Sequence, residues 1–271
     1  MCREPGTATI MKFMIGMDCE GAAGVVGFPR STLCASMDLE FARKQATREA
    51  DAAARALFDS GADQVIVWDN HGSGTNLVFD LLDSRCTIAH GLGFARRFPG
   101  LDESFAGVLM VGYHAMQGTP MGVLAHTYSP GTYRTIRVNQ KAVGEIALDA
   151  AVAGESGVPM IFLSSDQQGC REGRSFMPWI ETVATKQGFG QHCAVSMHPQ
   201  YSPDIIYAGV QKAVQRSLDM KPFTFKKPVK MEIEFKNRLA MLKFLVRRKG
   251  WKLASTRKII KVVPSMLEWQ C

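Results

Sequence analysis

Asp18 and Glu20 stand two residues apart, directly after the short apolar run Phe13-Met-Ile-Gly-Met17. On an extended chain successive side chains alternate, so both carboxylates face the same side. Like charges that close cannot both stay ionised cheaply unless a cation joins them. Two further apolar runs end in the same manner. Val65-Ile-Val-Trp68 leads into Asp69-Asn-His71, and Val108 to Val111 leads through Gly112 and Tyr113 to His114. Glu145 opens a later helical stretch. Asp18, Glu20, His71, His114 and Glu145 together offer nitrogen and oxygen donors only. They are too many for one catalytic zinc, which takes about three protein ligands and a water. With one carboxylate bridging, they suit two metals about 3.5–4 Å apart, and such a pair activates a water and polarises a carbonyl. Hydrolysis is the chemistry that follows.

His126 is left over from this set. It lies beyond a loop holding Gly118, Pro120 and Gly122, long enough to fold back over the metals. An imidazole with a pKa near about 6.5 exchanges protons at neutral pH. A catalytic role by proton transfer or oxyanion stabilisation is therefore expected, rather than coordination. His90, His192 and His198 end no convincing buried strand and read as ordinary loop histidines.

The hydrophobic pattern says which elements carry these groups. Continuous apolar runs at 13–17, 65–68, 108–111 and 158–163 read as strands buried on both faces. Between the first two, Leu39, Ala42, Ala46, Ala50, Ala53 and Leu57 recur at helical spacing, with Ser36 as the expected cap and Gly61 past the end. The result is a β-α-β unit. A short helix around 77–82, a strand at 135–138, a helix at 143–152 and a Ser202-Pro203 helix start complete the pattern. Residues 184–186 and 193–196 read as short edge strands. An α/β fold is predicted: a three-layer sandwich around a mainly parallel sheet, with a smaller C-terminal α+β portion. In an open parallel sheet ligands bind outside the carboxyl ends of the strands, where the acidic and histidine groups lie.

The 271 residues are 46% hydrophobic and 21% charged, an ordinary globular composition. No apolar run reaches the roughly 20 residues that span a bilayer. Residues 1–10 lack the apolar segment of a signal peptide and read as a flexible leader. The seven cysteines form no paired spacing, so free thiols in a reducing cytoplasm are expected. Alternation turns Cys19 away from its two acidic neighbours. The net charge of +7 is unevenly placed. Residues 221–271 hold 14 Lys and Arg against 3 acidic residues, or +11, which leaves −4 for residues 1–220. Three segments are expected: the leader, a domain over 11–220, and a basic C-terminal extension over 221–271.

In order and approximate spacing, Asp18-x-Glu20-Gly, Asp69-x-His71, Gly112-Tyr-His114-Ala, His126 and Val143-Gly-Glu145 resemble the motifs of the DppA-like D-aminopeptidases, metallopeptidase family M55. The resemblance runs from about Met11 to about Leu218. It implies a two-zinc aminopeptidase that acts on short peptides with a D-residue at the amino end. It also implies a homo-oligomer, a decamer of two stacked five-membered rings. Carried over, Asp18 would bridge both zinc ions, Glu20 and His114 would complete one, and His71 and Glu145 the other. His126 would be the catalytic histidine, described in the family as the nucleophile. The basic segment from Lys221 lies outside the resemblance. It is expected to be dispensable for the chemistry and to contact acidic surface on a neighbouring subunit. No membrane partner is expected, and the segment lacks the motifs of a nucleic-acid binder. A two-metal amidase or other hydrolase would show the same ligands. A non-catalytic scaffold with a basic tail is the alternative of a different class.

Overall fold

The computed structural model describes residues 10–269. The expected leader, residues 1–10, lies outside the described residues except for Ile10. The chain runs β1 (Lys12–Met17), α1 (Leu39–Asp59), β2 (Gln64–Asp69), β3 (Thr87–Ala89), β4 (Phe105–Val111), β5 (Tyr133–Val138) and β6 (Lys141–Val143). It continues with α2 (Glu145–Glu155), β7 (Met160–Asp166), α3 (Gln167–Phe176), β8 (Glu181–Gly190), β9 (Cys193–Ser196) and α4 (Ser202–Gln215). The last elements are β10 (Val229–Phe235), α5 (Arg238–Arg247), β11 (Lys252–Ser255) and β12 (Lys258–Val263).

Seven strands form one sheet in the order β3-β2-β1-β4-β7-β8-β9, parallel throughout except for β9 at the edge. Alternation on β1 divides the core. Phe13, Ile15 and Met17 pack with the alanine-rich face of α1 and with Ile206, Val210 and Ala213 of α4. Met14 belongs to the opposite cluster, with Ile146, Ala147 and Leu148 of α2. Small side chains at Ala42, Ala46, Ala50 and Ala53 are fully buried and let α1 lie close to the sheet. These layers make the α/β sandwich that the sequence predicts.

Three details differ from the sequence reading. The first helix starts at Leu39, because Ser36 Oγ accepts from Asp38 N at 3.2 Å in the turn ahead of it rather than capping the helix itself. The stretch around 184–186 is not a short edge strand. It lies within β8, ten residues long and paired with β7 on one side and β9 on the other. The helix α3 was not foreseen, since Gln167–Phe176 is mostly polar and carries two glycines.

A second sheet, in the order β11-β12-β10-β5-β6, is antiparallel. It joins the basic segment to the middle of the chain: Met231, Ile233 and Phe235 of β10 pair with Val138, Ile136 and Tyr133 of β5. Their side chains are buried in one cluster with Ile146 and Leu148 of α2, as are Met241, Ile259, Val263, Met266 and Trp269. Trp269 Nε1 also donates to Tyr128 Oη at 3.0 Å. The segment from Lys221 is therefore packed into the core, an arrangement under which the chemistry is expected to need it. Alternating charge hid this, because Lys230, Glu232 and Glu234 stand between the buried residues of β10. Truncation before Lys221 is expected to abolish cooperative thermal unfolding by circular dichroism. Phe235 alone, fully buried, is worth about 3–5 kcal/mol when cut to alanine.

Candidate active site

The register of the large sheet brings the site together. Met17 on β1 pairs with Asp69 on β2 and with Val111 on β4, so the three strands end level. Asp18 and Glu20, His71, and His114 follow within three residues of those ends. The backbones of the β1 and β4 extensions touch. Gly21 N donates to Gly112 O at 2.7 Å and Asp18 N to Val111 O at 2.8 Å. Gly112 has φ +73°, and a Cβ there would sit 2.2 Å from Asp18 O. Only glycine supplies this conformation and this approach together. Glu145 arrives from the other side, as the first residue of α2 after Gly144.

All five expected ligands are buried, between 2% and 6% exposed. Donor-type atoms of Asp18, Glu20 and His114 lie within 4.8 Å of one another, as do those of His114, His126 and Glu145. His114 Nε2 is 3.4 Å from Asp18 Oδ2 and 3.3 Å from Glu145 Oε1, and His71 Nε2 is 3.2 Å from Glu20 Oε1. His71 thus meets Glu20 and Glu145 meets His114, whereas the resemblance grouped His71 with Glu145. His114 Nδ1 faces Ala115 O at 3.0 Å, which places one proton on Nδ1 and turns Nε2 to the carboxylates, where it can coordinate once its own proton is displaced. Asp69 is not part of the cluster. Its carboxylate accepts from Leu77 N and Asn76 Nδ2, each at 2.9 Å, and from Asn76 N, closing the loop that carries His71.

The charges answer one another. Burial and then Glu20 hold the Asp18 carboxyl well above its usual range. Burial also opposes charge on Glu20, but His71 beside it prevails and holds that carboxyl well below its usual range. Burial likewise opposes charge on His114, yet Glu145 and Asp18 push it up to about 10, and His114 in turn brings Glu145 down to about 2. Protons on the imidazoles neutralise the carboxylates here, a role that a divalent cation takes over by displacing them.

His126 lies half-buried on this cluster, its ring stacked on that of His114 at 3.9 Å with 12° between planes. Its Nδ1 donates to Leu124 O at 2.8 Å, which fixes the tautomer and leaves Nε2 unprotonated. Burial and then the His114 charge move its pKa below the ordinary value. A cavity of about 270 Å³ opens over Glu20, His71 and His126. Its wall includes Cys34, which the sequence did not single out, and His192, which it read as an ordinary loop histidine. Cys34 Sγ is 3.6 Å from His71 Nε2, and His192 Nδ1 faces Val26 O at 3.0 Å. Cys34 follows no apolar run, and His192 follows the polar, glycine-containing end of β8, so no pattern in the sequence marks them.

A family model described as D-aminopeptidase, peptidase M55, matches residues 11–268. The chain belongs to that family. The match includes the basic segment from Lys221, which the motif resemblance had left out. A D-aminopeptidase from Bacillus subtilis (strain 168) is 30% identical over 230 residues, covering 84% of this chain and 82% of that protein. The solved structure of the zinc-dependent D-aminopeptidase DppA from Bacillus subtilis, described as a self-compartmentalizing protease, superposes with a TM-score of 0.86. That alignment is 28% identical and covers 95% of this chain and 93% of the other. This M55 member is accordingly a hydrolase of the D-aminopeptidase type. Among its described residues no helix is long and apolar enough to cross a membrane.

Proposed function

We propose that this chain removes the N-terminal residue, of D configuration, from short peptides at a centre of two zinc ions held by Asp18, Glu20, His71, His114 and Glu145, with Asp18 serving both. The observation that carries the reading is the convergence of three carboxylates and two imidazoles, all buried, at the level ends of three strands. The donor set fits the metal. Two atoms 2.0–2.1 Å from one tetrahedral ion lie about 3.3–3.4 Å apart, close to the 3.2–3.4 Å separations found here. Two buried atoms of the set, Glu20 Oε2 and His71 Nδ1, have no hydrogen-bond partner, an arrangement that costs about 1–3 kcal/mol per group unless something else satisfies it.

When bound, the zinc ions polarise the scissile carbonyl and make water a better nucleophile. The protein supplies the rest. Tyr128 N donates to Glu145 Oε1 at 2.6 Å and Cys19 N to Asp18 Oδ1 at 2.9 Å, so both carboxylates are oriented by backbone groups. His126 Nε2, unprotonated and facing the cavity, takes up the proton released as the nucleophile attacks and returns it to the departing amine. Direct attack by this nitrogen, the family's description, uses the same tautomer. The narrow cavity favours the end of a short peptide over a folded chain.

A homo-oligomer, in the ring form of a decamer, and a cytoplasmic location belong to the same reading. The description of the Bacillus subtilis structure as self-compartmentalizing supports assembly. Exposed Phe28, Met37, Leu92 and Phe94, on loops that leave the same sheet edge, offer apolar contact surface for it. The deciding experiment is elemental analysis of the purified protein beside assays on D-Ala and L-Ala p-nitroanilides. About two zinc ions per chain and turnover of the D compound are expected. A fully active preparation with no more than one metal per chain would overturn the dinuclear centre.

A further inference from the structure

Behind the ligands lies a closed ring of four polar side chains that no motif marks. Arg97 Nη2 donates to Asn70 Oδ1 at 2.6 Å and to Asp149 Oδ2 at 2.7 Å, while its Nε donates to Asp149 Oδ1. Asn70 Nδ2 donates to Tyr113 Oη at 2.9 Å, and that hydroxyl donates to Asp149 Oδ2 at 2.8 Å. Asp149 and Tyr113 are fully buried. The Arg97 guanidinium is 5.0 Å from the centre of the Trp68 ring and 4.9 Å from that of Tyr128, a favourable placement for a cation.

The positions of the members give the ring its meaning. Asn70 immediately precedes His71, Tyr113 immediately precedes His114, and Asp149 follows Glu145 by one helical turn on the same face. Neighbours on an extended chain point to opposite sides. Asn70 and Tyr113 can therefore engage the ring while the histidines after them face the carboxylates of the cluster. Three ligands, from the loops after β2 and β4 and from the start of α2, are tied through these neighbours, with the Arg97 guanidinium joining Asn70 to Asp149 from a fourth segment, the loop after β3. A buried network with every member satisfied is rigid, and one with a member removed is not.

We propose that Arg97, Asp149, Tyr113 and Asn70 are positioning residues that fix His71, His114 and Glu145 relative to one another, so that both metals are held at the separation the reaction needs. The proposal rests on the two-zinc reading above. It gives the ring a role in metal retention and turnover beyond its share in stability. Groups that orient ligands typically contribute 10–100-fold to metal affinity, and a misplacement of about 1 Å costs about 100-fold in rate.

Tyr113→Phe deletes the hydroxyl that links Asn70 to Asp149, and Asn70→Ala deletes the amide. Tyr133→Phe, a buried tyrosine of the small sheet, serves as control. For each full-length protein the zinc dissociation constant is measured by chelator competition, kcat and KM on one peptide substrate, and the melting temperature after zinc removal. Both ring variants are expected to bind zinc about 10–100-fold more weakly, with kcat lowered and KM unchanged, while the control keeps wild-type zinc affinity. Unchanged zinc affinity in the ring variants, with or without a lower melting temperature, overturns the proposal. If Tyr113→Phe does not fold, Asn70→Ala at its half-buried site decides alone. Failure of the wild-type protein to hold zinc would instead strike the two-zinc reading itself.

Discussion

Asp18→Asn is expected to lose most of its zinc and to fall in activity by more than about 100-fold, beyond the 10–100-fold typical of groups that merely orient a ligand. Asp18 is the ligand nearest the junction of β1 and β4, and its oxygens lie within 4.8 Å of donors on Glu20 and His114. An amide of the same shape keeps the packing but lacks the charge that a shared ligand must supply to two cations. The metal-free proteins separate this effect from misfolding. Burial and the Glu20 carboxylate hold the Asp18 carboxyl well above its usual range, so its ionised form opposes folding when no cation is present. Zinc-free Asp18→Asn should therefore melt no lower than zinc-free wild type by calorimetry. A variant that kept both metals and its rate would remove Asp18 from the centre.

His126→Ala should behave in the opposite way, retaining two metals while kcat falls at least about 100-fold. The imidazole lies flat on that of His114, with its protonated nitrogen bound to Leu124 O. With five other groups expected to fill the centre, its free Nε2 is left to move a proton. Zinc analysis and steady-state kinetics on the same preparation test both halves. A variant that lost metal in proportion to activity, and so kept its rate per bound zinc, would make His126 a ligand.

The site was legible wherever its logic is local. The spacing of Asp18 and Glu20 states their common direction, and apolar runs that stop at His71 and His114 state a shared edge. The register Met17–Asp69 and Met17–Val111 then does what parallel pairing must do with runs of similar length. What could not be read depends on partners far apart in sequence. Arg97 meets Asp149 across 52 residues, and either alone looks like a solvated charge. The helix α3 was hidden by Gly169 and Gly173, which read as turn residues. A Cβ on Gly169 would lie 2.0 Å from Ser165 Oγ, and one on Gly173 2.5 Å from a Leu163 methyl carbon. Their absence of side chain is what lets a polar helix seat on β7. Asp166 was a readable start for that helix: its carboxylate accepts from Gly169 N at 2.7 Å. The basic segment misled because net charge reports on the wet half of a strand and is silent about the dry half.

The pairing of β10 with β5 also sets an order in time. β5 ends at Val138 and β10 begins at Val229. A ribosome adding about 5–20 residues per second leaves β5 without its neighbour for several seconds, and α2 with its first residue Glu145 without the cluster that beds it. The bed of α2 is therefore complete only once β10 and β12 have emerged. A product of interrupted translation that stopped short of β10 would carry every candidate ligand in sequence but leave Glu145 and α2 without the side chains they pack on.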